Sequence, residues 1–265
     1  GVQTCALPIY YLMKTIEEAI KSVKEFDFLK STQEQIENVL LTFGMNDEQT
    51  FELPKDFAPY MGWGIKFWQN PRQLSKLICY LRDKEINSYF EIGVRWGGTF
   101  IILNEALRRN NPYIEAYAND WIEPSEILDT YQNKFTGNVF KYLQMDSSFV
   151  WLPYYLGPNI HKPIPQIDLV FIDGCHMYWC IKEDYQRALN LGAKYIIFHD
   201  IVSQTSVPSR MAWDDIKKKH KKYYEFTDQY DSVKGKYMGI GVIEVSPEDD
   251  VFPFYKEFYP QFFGG

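Results

Sequence analysis

Side chains able to do chemistry gather in five short runs of this 265-residue chain. The first is a glycine-rich turn, Glu91-Ile92-Gly93-Val94-Arg95-Trp96-Gly97-Gly98-Thr99. Asp120-Trp121 and Asp146-Ser147 follow. Then come Asp168 to Asp173 with Gly174-Cys175-His176, and Ile196 to Ile201 with His199-Asp200 at its end. If the fold brings Asp173 and Asp200 together, the two carboxylates repel unless a cation sits between them. Hard oxygen ligands with positions left for water and substrate suit Mg²⁺, with Mn²⁺ as a variant. Such an ion binds a hydroxyl and makes it easier to deprotonate. His176, close after Asp173, is then the expected general base, because imidazole titrates near neutral pH. The bland alternative is that the two acids cap helices and His176 is a surface histidine.

These runs need a scaffold, and the apolar spacing describes one. Ile16, Ala19, Ile20 and Val23 predict a helix over 13–28. Ser31-Thr32 with Gln35 reads as the capped start of a second helix, carrying Ile36, Val39, Leu40 and Leu41. Residues 45–64 read as a long connector, and Asn70-Pro71 opens a third helix with Leu74, Leu77, Ile78 and Leu81. From residue 89 the rhythm alternates. Strands are expected at 89–93, 114–119, 139–143, 167–172 and 195–198, with helices at 97–109, 125–135, 178–191 and 209–222. A loop-and-helix region fills the stretch to about residue 165. Residues 224–226 and 237–245 read as a final antiparallel pair. This alternation predicts an α/β fold, a doubly wound, Rossmann-like sheet, mostly parallel. In such sheets ligands bind beyond the carboxyl ends of the strands. Every reactive run lies at such an end. Lone acids there are commonly solvated or capping, so their recurrence after three successive strands favours function.

The glycine turn narrows the ligand. A dinucleotide fold wants a second glycine where this chain has Arg95, so a pyrophosphate fits poorly. The observed E-x-G-x-x-x-G-G resembles motif I of class I S-adenosylmethionine-dependent methyltransferases. Asp168-x-Val-Phe-Ile-Asp173-Gly174-x-His176, the later strand ending in His199-Asp200, Trp213 and Met238-Gly-Ile-Gly resemble one group within that class. The group comprises small-molecule O-methyltransferases, including macrolide sugar methyltransferases and cephalosporin hydroxylase-like proteins. The resemblance covers about residues 60–245. It implies that Gly93, Gly97, Gly98 and Thr99 cradle the cofactor's amino-acid tail, with Glu91 facing its ammonium group. It implies ribose contact at Asp120, adenine contact at Trp121, Asp146 and Ser147, and a further cofactor contact at Asp173. Some relatives place two adjacent acidic ligands after the fifth strand. Here the first is His199, which either ligates the metal with Asp173 and Asp200 or only orients Asp200.

Composition sets the outer limits. With 46% hydrophobic and 24% charged residues, global disorder is excluded. A formal net charge of −7 argues against a general nucleic-acid or anionic-membrane binder. No run is apolar enough to span a membrane. The cysteines, at 5, 79, 175 and 180, form no framework, which favours a reducing cytoplasm. Cys175, His176 and Cys180 lack zinc spacing. Lys217, Lys218, Lys219, Lys221 and Lys222 read as solvated last turns of a helix. The aromatic stretches 60–64 and 151–155 read as lids, packing or a subunit contact, and a homo-oligomer stays open. Residues 1–12 read as a leader whose first nine residues look like a translated library adapter, with the natural start at or upstream of Met13. A helical segment (13–69), the cofactor domain (70–246) and an aromatic tail (247–265) complete the division. The expected activity is methyl transfer from S-adenosylmethionine to a small-molecule hydroxyl, on a sugar or glycosylated metabolite by resemblance alone. The rivals are a non-catalytic cofactor-binding scaffold and a nicotinamide-dependent oxidoreductase.

Overall fold

A computed structural model describes residues 13–48, 50–136, 140–149 and 167–249. Strands β1 (Ser88–Ile92), β2 (Glu115–Asp120), β3 (Phe140–Gln144), β4 (Leu169–Ile172), β5 (Tyr195–Phe198), β6 (Tyr223–Phe226) and β7 (Ile240–Glu244) form one sheet. Their order is β3-β2-β1-β4-β5-β7-β6. The first five pair in parallel, and β7 runs antiparallel to both β5 and β6. The winding direction reverses between β1 and β4, which is where such a sheet opens a crevice for a ligand.

Both faces of the sheet are covered, so β4 (Leu-Val-Phe-Ile) and β5 (Tyr-Ile-Ile-Phe) are apolar along their length. Alternate residues point to opposite sides. Tyr89, Leu169, Phe171 and Ile197 pack with one cluster, while Phe90, Val170, Ile172, Ile196 and Phe198 pack with the other. The first cluster takes in α1 (Ile16–Glu25), α2 (Gln33–Leu41), α3 (Pro71–Leu81), α4 (Gly98–Arg108) and α5 (Glu126–Thr130). The second takes in α6 (Tyr178–Asn190) and α7 (Val207–Lys217). The N-terminal helices thus share a core with the sheet through Ala19, Ile20, Val23, Ile36 and Leu40. Each begins with a reciprocal cap, Thr15 with Glu18 and Thr32 with Gln35. The Asn70 side chain caps α3 by accepting from the amides of Arg72 and Gln73. No helix among the described residues is long and apolar enough to cross a membrane.

Several expected boundaries move. The last helix was expected over 209–222 but ends at Lys217. Beyond it, His220 turns inward, with Nε2 2.7 Å from the Tyr185 hydroxyl and Nδ1 2.7 Å from Asp249. A continuing helix could not make both contacts. Lys217, Lys218, Lys221 and Lys222 each pair with an acidic side chain, so the run carries little unbalanced charge. The final strand begins at Ile240 rather than 237, because Met238 and Gly239 adopt left-handed conformations that a strand excludes. The helix expected over 125–135 is α5, continued by a wider turn over Tyr131–Thr136. The 45–64 connector contains short turns at Thr50–Glu52 and Lys55–Tyr60, and Met45 bridges to Met61 and Phe67. Its Trp63 is buried and donates to the Pro59 carbonyl. That part of the 60–64 stretch is packing, not a lid. The aromatic stretch 151–155, the leader 1–12 and the tail from residue 250 lie outside the described residues.

Candidate active site

A cleft of about 810 Å³ opens at the carboxyl ends of the parallel strands. The turn after β1, from Gly93 to Gly97, forms its floor. Gly93 has φ +86, and a Cβ there would lie 2.3 Å from the Gly174 Cα and 2.4 Å from the Asp173 carbonyl oxygen. Glycine is therefore required where the turns after β1 and β4 touch. Gly97, also left-handed, precedes α4 without capping its first turn by a side chain. Gly98 and Thr99 of that turn border the cleft.

The carboxylates around this floor differ in state. Glu91 is buried, and the Tyr89 hydroxyl donates to it. Burial, with Asp173 and Asp120 nearby, pushes its carboxyl well above the usual range. Asp120 accepts the Arg95 amide at 2.8 Å and the Trp121 amide at 2.8 Å. Arg95 thus spends on Asp120 the backbone donor that a pyrophosphate would need. The Trp121 ring is 77% exposed at the rim. Asp146 accepts the Ser148 amide at 2.8 Å, and the Ser148 hydroxyl and amide hold its carboxyl below the usual range. The Ser147 hydroxyl accepts from Arg187 at 3.3 Å. Glu91, Gly93, Gly97, Gly98, Thr99, Asp120, Trp121, Asp146, Ser147, Asp173, His176, His199 and Asp200 all border this one cleft. Asp184, buried in α6, pairs with Arg187 at 2.6 Å.

Beyond the turn after β4 lies a cluster of two acids and two imidazoles. Asp173 Oδ1 is 2.7 Å from His199 Nδ1 and 3.5 Å from His176 Nε2. His176 Nδ1 is 3.2 Å from Asp200 Oδ2. Burial disfavours charge on His176, but Asp173 and Asp200 outweigh it and push the imidazole up to about 10. His176 is therefore a cation when no other cation offsets these acids. A base role needs the neutral ring. Burial pushes the Asp173 carboxyl up, yet His199 and His176 outweigh burial and hold it below its usual range.

The donor set fits a divalent metal. One ligand atom each from Asp173, His176 and His199 lies within 4.8 Å of the others. His199 is 6% exposed at its side chain, and its short approach to Asp173 is out of line for a hydrogen bond. Among the described residues, neither of its buried ring nitrogens has a hydrogen-bond partner. Such an atom costs about 1–3 kcal/mol unless something satisfies it. The tight trio contains His176 where the sequence placed Asp200. Asp200 stands behind it, 3.8 Å from His199 Nδ1.

Two buried residues here escaped the sequence reading. Gln69, fully buried, donates from Nε2 to Asp173 Oδ2 at 2.9 Å. Glu52 accepts from the Thr205 hydroxyl at 3.0 Å, and burial pushes its carboxyl up. Asn70 signalled the helix start, but nothing local shows that its neighbour reaches an acid 104 residues away.

A family described as a methyltransferase domain matches residues 90–201, the stretch that holds the glycine turn and both acid-bearing turns. No curated protein matches the chain. Solved structures similar to it include three methyltransferases. The O-methyltransferase TomG from Streptomyces achromogenes, in complex with SAM, has 14% identity and a TM-score of 0.49 over 88% of this chain and 100% of that one. The O-methyltransferase from Bacillus cereus, in complex with SAH, has 14% identity and a TM-score of 0.49 over 89% and 100%. Precorrin-6y C5,15-methyltransferase from Geobacter metallireducens has 14% identity and a TM-score of 0.45 over 75% and 96%. At these identities the likeness concerns the fold alone.

Proposed function

We propose that this chain, whose residues 90–201 match a methyltransferase-domain family, is a class I S-adenosylmethionine-dependent O-methyltransferase that acts on a small-molecule hydroxyl. The observation that carries this reading is the cluster of Asp173, His176, His199 and Asp200 at the end of a cleft shaped by the Gly93–Thr99 turn. The cofactor's amino-acid tail lies along that turn, its ribose at Asp120 and its adenine beside Trp121 and Asp146-Ser147. The methyl group then points toward the acid–imidazole cluster. The acceptor enters on the side bordered by Thr205, Ser206 and Pro208.

Transfer is an in-line displacement. The acceptor oxygen bonds to the methyl carbon while the carbon–sulfur bond breaks and its electron pair stays on sulfur. The sulfonium charge is lost, and the hydroxyl proton must leave. Alignment of the two reactants supplies much of the rate. Asp173 and His199, with Asp200 beside them, would hold a divalent cation. When bound, that ion supplies charge stabilisation and a more acidic hydroxyl. The imidazole of His199 favours Mn²⁺ over Mg²⁺. His176, with its ring neutral and not itself a ligand, accepts the proton from the hydroxyl. Gln69 fixes the rotation of Asp173. A cytoplasmic setting is part of the proposal, on the cysteine spacing of the sequence.

The test incubates the protein with methyl-labelled cofactor and a panel of hydroxylated small molecules, sugars included. Label moving to oxygen, and lost in excess EDTA, supports the proposal. Cofactor binding without transfer to any acceptor favours the scaffold reading, and full activity in EDTA removes the metal.

A further inference from the structure

The cleft is rich in acids and poor in cations. Glu48, Glu91, Asp120, Asp146, Asp173 and Asp200 border it, against Lys66 and Arg95 besides the two histidines. The tail of S-adenosylmethionine carries an ammonium, a sulfonium and a carboxylate. The acids suit the first two and repel the third. Arg95 is already committed, with Nη2 3.1 Å from Glu48. Lys66 makes no ion pair with a described residue, and its ammonium lies 5.1 Å from the centre of the Trp96 ring.

The position of Lys66 matches that need. Residues 65–67 press on the first turn of α4 so closely that a Cβ on Gly98 would lie 2.3 Å from the Ile65 carbonyl oxygen and 2.5 Å from the Phe67 nitrogen. The next residue, Trp68, donates its amide to Thr99 Oγ1 at 3.4 Å. Lys66 therefore stands beside the uncapped α4 amides, where the helix dipole also favours an anion. Its backbone has φ +49, a left-handed conformation costly for any residue but glycine.

We propose that Lys66 binds the carboxylate of the cofactor's amino-acid tail. The anion contact then comes from the N-terminal segment, outside the matched residues 90–201. The proposal rests on reading the cleft as the S-adenosylmethionine site.

Titration calorimetry on the full chain tests it, with S-adenosylhomocysteine and with 5′-methylthioadenosine, which keeps the nucleoside and sulfur but lacks the tail. Lys66→Gln should weaken S-adenosylhomocysteine binding by about tenfold or more and leave methylthioadenosine binding unchanged. Lys66→Arg should restore most of the loss. Lys66→Gly, which relieves the backbone strain, should bind as weakly as Lys66→Gln without a lower Tm. Equal affinity of wild type and Lys66→Gln for S-adenosylhomocysteine, the result expected if Lys66 serves an acidic acceptor instead, overturns the proposal, as does equal weakening of both ligands, the result expected if Lys66 serves only structure. Wild type that binds both ligands equally well overturns it while leaving the nucleoside site intact. Wild type that binds neither overturns the cofactor reading together with it.

Discussion

Gly93 and His176 show what single residues contribute. Gly93 has two reasons to be glycine, its left-handed backbone and its contact with Gly174. Gly93→Ala should destabilise the protein by about 2 kcal/mol and abolish S-adenosylhomocysteine binding, read by chemical unfolding and calorimetry. His176→Gln should keep cofactor affinity while turnover falls by about 10²–10⁴. Unchanged turnover would remove the histidine from proton transfer. Manganese should raise the Tm of wild type but not of Asp173→Asn, as measured by thermal unfolding with and without EDTA. Residue types and spacing foretold which groups meet at the cleft. They did not foretell the state of His176, because the pull of two carboxylates depends on distances of 3.5 and 3.2 Å that no spacing encodes.

At the level of elements, local chemistry sets most starts and tertiary contacts set several ends. The Thr32–Gln35 reciprocal cap was visible as letters and is present in the fold. Thr32→Ala should cost about 1 kcal/mol in unfolding free energy. The end of α7 was not visible, because it depends on His220 meeting Tyr185 from α6 and Asp249 from beyond β7. Burial pushes the Asp249 carboxyl up, but the amides of Ser246 and Lys221 and the His220 ring outweigh it, so the net shift is downward. A carboxyl held below its unfolded value stabilises the fold above that value, about pH 4, and loses this contribution as pH falls through the folded value. Wild type should therefore exceed Asp249→Asn in stability at pH 7, and the gap should close on acidification below about pH 4. A gap independent of pH would contradict the assignment.

Over the whole molecule, the alternation of strands and helices foretold the doubly wound sheet, and the change of direction between β1 and β4 places the cleft. The part played by residues 13–69 was not legible. Their helices join the core through Ile20 and Leu40, and their last residues bring Lys66, Trp68 and Gln69 to the glycine turn and to Asp173. These are long-range contacts, which local periodicity does not report. The account stands or falls on what the Gly93–Thr99 turn holds, and a crystal structure with S-adenosylhomocysteine measures that directly. The predicted result is density for the amino-acid tail along Gly93–Thr99, the ribose at Asp120, and the sulfur facing the cluster of Asp173, His176 and His199. Density for that molecule elsewhere, or a turn that stays closed to it at saturating concentration, would contradict the account.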